Sequence, residues 1–590
     1  MARSNDEVEA ALVEYADLLT ITGGDLFKAR AYERAARAVA GYRGDVGSLD
    51  TKSLQKLPGI GRSIAEKIVE FCHTGTIQAL EEQRAQIPAG VRQMVDIPTL
   101  GPKKALTLHR ELGVASIEEL VDAVQAGRLD GLRGFGPKTG ENILRGVALL
   151  QQSEGRVQLD VATAVAERIL GELSAVTGCE RCTYAGSLRR FRETVGDIDI
   201  LAASSDPVPI MRALTKLPDA AEVIARGEKK TSIRTSSGLQ VDLRVIPPES
   251  WGAALQYFTG SKAHNVRVRE IAVRAGLKLS EYGLFEAESG KLIVSATEEE
   301  LYARLGMAWV PPPLREDRGE IEAARDGTLP DLVTDADIRG DLHTHTNLTD
   351  GVSSLEDMVR AAAARGYSYY AITDHAPNLV MQRMTDEKIL AQREQVRQLD
   401  GKYRRMTLLH GAELNIDPDG EVDWPDDFLA GFDVCVASVH SHFNLSRAQM
   451  TRRLVRACEN PHVNVIGHPT TRMLGHRAGV DADWDEVFRA AARTGTALEV
   501  NGLPDRIDLR DEDILAARRF GVKFAIDSDA HATANLGLIR YGVGTAQRGW
   551  LTQADVINTW PLRDLRTFLR SRADRLGKRR DGCSIRRGST

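Results

Sequence analysis

The chain has 590 residues, of which 42% are hydrophobic and 27% are charged. This length is enough to bury several cores and predicts about three to five domains. The net charge of -6 at pH 7 does not exclude nucleic-acid binding, because phosphate contacts depend on the local placement of lysine and arginine. The N-terminus lacks the apolar run of a signal peptide, and no stretch is long and apolar enough to cross a membrane. We therefore expect a soluble cytoplasmic protein.

Turn residues and charge divide the chain into segments. Residues 1–85 and 86–152 are typical of short helices separated by glycine and proline turns, and residues 153–247 and 248–316 alternate strands with helices. Residues 317–336 are polar and charged, which predicts a linker. Residues 573–590 form a basic tail that we expect to be disordered.

Short apolar strands alternate with helices in residues 337–572. The predicted strands cover 369–373, 407–409, 434–438, 463–466, 497–500 and 522–526. This βαβ rhythm favours a parallel sheet or barrel, in which the chemistry lies at the carboxyl ends of the strands.

Glycine turns open three N-terminal helices that each begin with a cation. The turns lie in segments 57–67, 100–104 and 132–138. Glycine lets the backbone approach a ligand closely, and the free N–H groups at a helix start attract an anion. One such segment is explained by ordinary helix packing, but three copies favour sequence-independent contact with DNA phosphates. The segments resemble helix–hairpin–helix motifs, although Thr99 replaces the usual first glycine of the second.

The first of these segments carries a candidate nucleophile. Gly59-Ile-Gly61, followed by an Ala-Glu-Lys run that ends at Lys67, resembles the lyase domain of X-family DNA polymerases. The resemblance implies that Lys67 is catalytic and forms a Schiff base with an abasic sugar. Ser63 stands where relatives can carry a phosphate-binding lysine. An ordinary solvated helix lysine is the alternative interpretation of Lys67.

Two predicted strands carry three carboxylates. Alternation along residues 196–201 places Asp197 and Asp199 on one face of a strand, and the strand at 239–245 presents Asp242 on its polar face. Aligned carboxylates repel each other unless cations lie between them, so the pattern predicts a divalent-metal site. Three carboxylates on neighbouring strands meet the requirement of two-metal phosphoryl transfer, in which they are the catalytic groups and bind two Mg²⁺ or Mn²⁺ ions.

A turn upstream of these carboxylates supplies predicted nucleotide contacts. Gly186, Ser187 and Arg190 offer a tight turn, a hydroxyl and a cation for triphosphate oxygens. Together with the later carboxylates, this turn resembles the nucleotidyltransferase superfamily.

A further run closely resembles the nucleotide-binding helices of polymerase beta and its relatives: Tyr257, Phe258, Gly260, Asn265 and Arg269. The resemblance implies that the aromatic pair lies by the sugar and limits ribonucleotide entry, while the asparagine and arginine face the base pair and the template. Two positions depart from the pattern. Gln240 replaces an arginine near the third carboxylate, and Lys262 replaces an acidic residue beside the incoming base.

Nine ligand-type side chains lie at or near the ends of apolar strands after residue 339: His343, His345, Asp350, His375, Glu413, His440, His468, Asp529 and His531. The whole chain has only 13 histidines, so their concentration at strand ends is hard to attribute to chance. A single histidine at a strand end is more often a hydrogen-bonded core residue. Nine such residues in this order favour a centre for zinc, manganese or iron.

This set resembles the polymerase-and-histidinol-phosphatase (PHP) family, whose fold is a distorted seven-stranded barrel that binds up to three metals. The resemblance implies that one ion is bound by His343, His345, Glu413 and Asp529. Glu413 would bridge to a second ion bound by His440 and His468, and Asp350, His375 and His531 would bind the third.

The two resemblances together imply a bacterial X-family DNA polymerase fused to a PHP domain. We expect a multidomain fold with an all-α helix–hairpin–helix N-terminal region, an α+β nucleotidyltransferase palm with a thumb and nucleotide-binding subdomain, and a C-terminal α/β PHP distorted (β/α)7 barrel. The expected segments are lyase-like (1–85), DNA-binding (86–152), palm (153–247), nucleotide-selecting (248–316) and PHP (337–572).

The expected function is the filling of short gaps in base-excision or end-joining repair, with a manganese-dependent 3′→5′ exonuclease in the PHP domain. Cleavage at abasic sites and removal of 3′ blocking groups stay open as further activities of that domain. Gapped or primed DNA and dNTPs would be the partners of a nucleoid-associated monomer. Proteins of two other functional classes are alternatives. The intact Asp197, Asp199 and Asp242 argue against a DNA-binding scaffold with a silent polymerase half, and the DNA-binding N-terminal half argues against a small-molecule phosphatase.

Overall fold

The computed structural model describes residues 5–570 except for the short segments 23–24, 41, 43–44, 58, 96, 98–99, 133, 136, 154, 228–229 and 380–383. Thr99 and the tail at 573–590, for which we made predictions, lie outside the described residues. None of the described helices is long and apolar enough to span a membrane.

The N-terminal region is helical, as predicted: α1 (Asn5–Ile21), α2 (Leu26–Ala40), α3 (Thr51–Leu54), α4 (Arg62–Thr74), α5 (Gln78–Gln86), α6 (Ala89–Val95), α7 (Gly101–Leu112), α8 (Ile117–Gln125) and α9 (Pro137–Ser153). Helix α4 begins directly after the predicted glycine turn, where Gly59 has φ 77°, a value that glycine adopts without steric cost. One buried core runs from Val8 to Val147, and α1 packs against both α5 and α7. The two predicted helical segments therefore share a core.

The palm is built on a mixed sheet with the order β2-β4-β7-β6-β5, in which β4 and β7 are parallel neighbours. Its elements are β1 (Val157–Gln158), α10 (Leu159–Ser174), β2 (Arg181–Tyr184), α11 (Gly186–Arg189), β3 (Thr194–Val195), β4 (Asp197–Ala203), α12 (Pro207–Leu214), β5 (Ala220–Arg226), β6 (Lys230–Thr235) and β7 (Gln240–Ile246). Apolar side chains of α10 and α12 share a core with Ile198 and Ile200. The polar side chains of β4 therefore lie on the opposite face.

The thumb follows as α13 (Trp251–Thr259), α14 (Lys262–Arg274), β8 (Leu277–Ser280), β9 (Gly283–Glu286), β10 (Leu292–Val294) and α15 (Glu298–Arg304), and its strands form an antiparallel sheet. The segment predicted as a linker contains α16 (Glu320–Asp326). Ile321 and Ala324 of this helix are buried in the same core as Leu301 of the thumb. The connection is therefore a packed helix rather than an extended chain, because two apolar side chains in a polar segment suffice to anchor it.

The C-terminal part is a nearly closed barrel of seven parallel strands in sequence order. Its elements are β11 (Gly340–Asp341), α17 (Leu355–Ala364), β12 (Tyr369–Ile372), α18 (Asp386–Asp400), β13 (Thr407–Asn415), α19 (Asp426–Leu429), β14 (Val434–Ser438), α20 (Arg447–Glu459), β15 (Val465–Ile466), α21 (Trp484–Thr494), β16 (Ala497–Asn501), α22 (Asp511–Arg518), β17 (Phe524–Asp527) and α23 (Ile539–Arg548). Thr344 pairs with Ala530 beyond the first and last strands, which brings the two edges together. The predicted fold class is confirmed.

The six strands predicted in this part all occur, with one important difference in length. Strand β13 continues to Asn415, six residues beyond its predicted end at 409. Glu413 therefore lies inside a strand, where it pairs with Val436 of β14, rather than in the loop that follows.

Candidate active sites

The parallel pairing of β4 with β7 brings the three predicted carboxylates together. Asp199 lies directly opposite Asp242, and Asp197 lies two residues earlier on the same face. One carboxylate oxygen from each of the three residues lies within 4.8 Å of the others. The structure thus places the three side chains as the sequence predicts, at spacings that suit divalent cations.

The charges of this triad are only partly compensated by the chain itself. Burial, followed by the neighbouring Asp197 and Asp242, raises the pKa of Asp199 to about 7. Burial also acts on Asp242, but its contacts with Lys230 Nζ at 2.6 Å and Gln240 Nε2 at 3.1 Å help to lower its pKa. Clustered carboxylates of this kind fit divalent cations, because oxygen ligands and uncompensated negative charge favour Mg²⁺ or Mn²⁺.

The glycine of the predicted turn lies directly against the triad. Gly186 has φ 59°, and a Cβ placed there would lie 2.3 Å from Asp199 Oδ2. The backbone N–H of Ala185 also donates to the carbonyl of Asp199, at 2.8 Å. Only glycine leaves room for the carboxylate, so Gly186 positions the triad as well as forming the turn that carries Ser187.

Arg190, the predicted triphosphate contact, bonds to residues of the thumb. Its side chain is only 13% exposed, and its guanidinium donates to Glu316 Oε1 at 3.1 Å and to the carbonyl of Thr259. The neighbouring Arg189 pairs with Glu298 at 2.9 Å. Both arginines tie the palm to the thumb, and the predicted contact of Arg190 with a triphosphate stays a prediction. The sequence does not predict the pairing of Arg190 with Glu316, because the two residues are 126 positions apart.

The predicted nucleotide-selecting residues meet where α13 and α14 join at Gly260. Asn265 Nδ2 donates to the carbonyl of Tyr257 at 2.7 Å, and the guanidinium of Arg269 lies 5.7 Å from the centre of the Tyr257 ring. The rings of Tyr257 and Phe258 pack edge to face with centres 5.0 Å apart. Arg244, which lies beside Asp242 on β7, places its guanidinium 4.5 Å from the Phe258 ring. This contact, which the sequence did not predict, links the carboxylate strand to the aromatic pair.

Lys67 lies in α4, behind the turn formed by Gly59 and Gly61, and is half-buried. Ser63 is exposed in the first turn of the same helix. The predicted role of Lys67 as a nucleophile stays a prediction.

The nine predicted ligands of the barrel converge on one buried centre. Glu413 lies at its middle, with Oε1 3.0 Å from Nε2 of both His440 and His468. Its other oxygen, Oε2, lies 3.4 Å from His343 Nε2 and 3.5 Å from His345 Nε2. This carboxylate therefore lies between the groups predicted to bind the first and second ions.

The remaining ligands complete the first and third groups. Asp529 Oδ1 lies 3.2 Å from His345 Nε2, and the two oxygens of Asp350 lie 3.3 Å from His375 Nε2 and 3.4 Å from His531 Nε2. The three ligand groups overlap more than the sequence predicts. His345 also belongs to the set around Asp350, and His375 Nδ1 lies 2.8 Å from Glu413 Oε2.

The buried donors of this centre fit metal cations. Among the described residues, His343 Nε2 and both ring nitrogens of His345 are buried without a hydrogen-bond partner, a rare condition for buried polar atoms. Burial would raise the pKa of Glu413, but the imidazoles of His440, His375 and His343 hold that pKa well below its usual range. Imidazole nitrogens and carboxylate oxygens together suit zinc, manganese or iron.

Two further side chains orient the ligands and were missed from the sequence. His343 Nδ1 lies 2.7 Å from the fully buried Glu499, which also accepts the backbone N–H of His468. His440 Nδ1 lies 2.7 Å from Asn415 Oδ1. Partners of this kind fix the ring orientation and leave the opposite nitrogen for a metal. The sequence did not single out Glu499, because this residue lies within a predicted apolar strand. Asn415 was missed because it lies in the part of β13 that was not predicted.

Comparison with protein-family models assigns most of the chain. Residues 3–77 match a helix-hairpin-helix domain, residues 91–148 a SAM-like helix-hairpin-helix tandem, residues 254–316 the DNA polymerase beta thumb, and residues 341–502 the PHP domain. These matches define the class of the molecule as a polymerase core with helical hairpins at one end and a PHP domain at the other.

Comparison with whole proteins agrees with this division. The chain is 36% identical over 555 residues to the DNA polymerase/3′-5′ exonuclease PolX of Bacillus subtilis (strain 168), covering 94% of this chain and 97% of the relative. It is 23% identical to DNA polymerase lambda of Rattus norvegicus over 50% of this chain and 53% of the relative. A probable phosphatase of Thermoanaerobacter sp. (strain X514) is 27% identical over 40% of this chain and 96% of the relative.

The chain therefore belongs to the X family of DNA polymerases, in the form that carries a C-terminal PHP domain. The resemblance inferred from the sequence is confirmed.

Replacing Gly186 with alanine should lower nucleotide incorporation about 10- to 100-fold, because the added Cβ displaces the Asp199 carboxylate from the other two. Gly171→Ala is the matched control, since Gly171 lies in α10 and a Cβ there meets no atom within 4 Å. Primer extension with purified variants measures the effect. Equal activity of the two variants would show that the turn does not constrain the triad.

Replacing Glu499 with glutamine should lower the metal content of the barrel and its phosphodiester hydrolysis about 10- to 100-fold, because His343 loses the carboxylate that orients it. Metal analysis and hydrolysis of bis(p-nitrophenyl) phosphate measure these two quantities. Glu394→Gln, a change of an exposed carboxyl in α18, is the control. Full metal content and hydrolysis in Glu499→Gln would contradict the assigned role.

Proposed function

We propose that the chain is a DNA-directed DNA polymerase that fills short gaps during repair and that its barrel is a 3′→5′ exonuclease. One observation carries the proposal: two separate sets of ligand-type side chains, one on the palm sheet and one inside the barrel, converge within a single chain. The printed name of the Bacillus subtilis relative, a DNA polymerase/3′-5′ exonuclease, supports the pairing of these activities.

In the polymerase half, Asp197, Asp199 and Asp242 would hold two Mg²⁺ or Mn²⁺ ions. When bound, such ions activate the primer 3′-hydroxyl and neutralise the triphosphate. The chain's own part is to orient the substrates. Tyr257 and Phe258, whose rings pack edge to face, would lie by the incoming sugar and limit the space for a 2′-hydroxyl.

Two further residues would serve nucleotide selection. Asn265 donates to the backbone carbonyl of Tyr257, and the guanidinium of Arg269 lies over the Tyr257 ring. By resemblance to polymerase beta and its relatives, both side chains would face the base pair and the template. Because both side chains contact Tyr257, the residues for sugar selection and for base-pair contact would be held together at the junction of α13 and α14.

The helical N-terminal region would bind the DNA on either side of a gap. Backbone N–H groups at the starts of α4 and α7 lie behind glycine turns, as phosphate contact requires. Lys67 would supply lyase chemistry on an abasic sugar in the same region. We infer a monomer that acts on DNA of the nucleoid in the cytoplasm.

In the barrel, up to three Zn²⁺, Mn²⁺ or Fe ions would be bound by the nine ligands around Glu413 and Asp350. When bound, such ions activate water for attack on a phosphodiester. Glu499 and Asn415 orient the ligands, and the burial of the centre excludes bulk water from the charges.

Removal of a 3′-phosphate is a second candidate activity of the barrel. The observation in its favour is the likeness of this part of the chain to a probable phosphatase that it spans almost completely. Release of inorganic phosphate from a primer with a 3′-phosphate would distinguish this activity from release of nucleoside monophosphates.

Two variants separate the two proposed activities on one gapped DNA substrate. Asp197→Asn should lower dNTP incorporation at least about 100-fold while leaving degradation of the 3′ strand nearly unchanged, and His343→Ala should do the reverse, because each removes a ligand from one centre only. Primer extension and degradation, with Mg²⁺ or Mn²⁺ and with or without dNTPs, measure both.

Asp197→Glu serves as a second variant at the palm, since it keeps the charge but moves the ligand atom. Melting temperatures show that each variant is folded. If both activities fell together in each folded variant, the assignment of two independent centres would be wrong.

A further inference from the structure

The turn that carries the nucleotide-binding residues of the palm is packed against the PHP barrel. Phe191, which follows Arg190, has φ 55°, a left-handed conformation that is costly for a bulky side chain unless its surroundings enforce it. Its ring lies against Gly544 in α23, where an added Cβ would lie 2.1 Å from Phe191 Cδ1. A glycine in the middle of a helix lowers helix stability, so its presence here is explained by the close approach of the ring.

A buried arginine of the barrel holds the same turn by its backbone. Arg548, at the end of α23, donates to the carbonyl of Arg190 at 2.8 Å. It also pairs with Glu316 at 2.8 Å and with Asp511 at 2.6 Å. Because Glu316 is also the partner of the Arg190 side chain, one barrel arginine positions both the backbone and the ion-pair partner of Arg190.

The contact continues into the core of the palm. Tyr541 of α23 and Ile507 of the loop after β16 are buried in the same cluster as Leu188 and Ile198. On the other side of the turn, Glu193 pairs with Arg472, which lies four residues after His468. Barrel residues thus surround the turn on several sides.

Backbone hydrogen bonds connect Phe191 to the residues predicted to bind the nucleotide, so a displacement of Phe191 would also displace those residues. The N–H of Arg192 donates to the carbonyl of Ser187 at 3.1 Å, and that of Phe191 donates to the carbonyl of Leu188 at 3.1 Å. Gly186 precedes Ser187 and lies against Asp199. The turn is therefore a small hydrogen-bonded unit, and its outer end is set by the barrel.

We propose that the PHP barrel is a structural part of the polymerase's nucleotide-binding site, and that Phe191, Gly544 and Arg548 are positioning residues for the incoming dNTP. This inference rests on the proposed polymerase function. It makes the affinity for dNTP depend on Gly544 and Arg548 of the other catalytic domain, although none of the three residues is among the predicted nucleotide contacts.

Steady-state single-nucleotide incorporation on gapped DNA tests the proposal in the full-length chain. Gly544→Ala should raise the KM for dNTP at least about fivefold with kcat within about twofold, because the displaced ring misplaces binding groups of the turn. Gly537→Ala is the control, since its Cβ would make only an ordinary contact with Arg365 at 3.7 Å. Melting temperatures report on folding.

Phe191→Ala and the double variant Phe191→Ala/Gly544→Ala test whether the change in KM depends on the Phe191 ring. In the Phe191→Ala background, Gly544→Ala should change the KM by less than about twofold, because the ring that it would displace is gone. An unchanged KM in Gly544→Ala, or the same increase in both backgrounds, would overturn the proposal. Absence of incorporation by the wild-type chain would instead refute the proposed function itself.

Discussion

The parallel pairing of β4 with β7 is the constraint on which the polymerase half depends. It aligns Asp199 with Asp242 and leaves Asp197 beside them, so three carboxyl groups meet on one face of the sheet. The opposite face is fixed by Ile198 and Ile200 in the palm core, and the strand cannot turn its carboxylates away without exposing those side chains. Burial first, and then the neighbouring Asp197 and Asp242, raise the pKa of Asp199, and bound cations would relieve the repulsion among the carboxylates.

The barrel applies a similar constraint with other ligands. Parallel strands in sequence order bring their carboxyl ends to one rim, where imidazoles surround Glu413 and Asp350. Partners such as Glu499 then fix the rings from behind. The palm and the barrel are packed against each other, because the palm core includes Tyr541 of the barrel and Arg548 donates to the carbonyl of Arg190. The barrel therefore contacts the turn that precedes the palm carboxylates.

Local patterns in the sequence predicted most of the architecture and the ligands. Alternation of aspartate with isoleucine was enough to identify the face of β4, and histidines at strand ends were enough to identify the barrel centre. Residues whose roles depend on distant partners were not predictable. The environment of Arg190 is set by Glu316 and Arg548, which are more than a hundred residues away. The end of β13 was missed because Gly411, Ala412 and Glu413 have low strand propensity and take their conformation from the neighbouring strands.

We propose that the three palm carboxylates form a two-cation site when substrates bind. Anomalous diffraction from crystals of the full chain with gapped DNA, a non-hydrolysable dNTP and Mn²⁺ tests it most directly. We expect two manganese peaks among Asp197, Asp199 and Asp242 and the triphosphate, separate from those inside the barrel. A bound nucleotide with no manganese beside these side chains, or carboxylates directed away from one another, would contradict it.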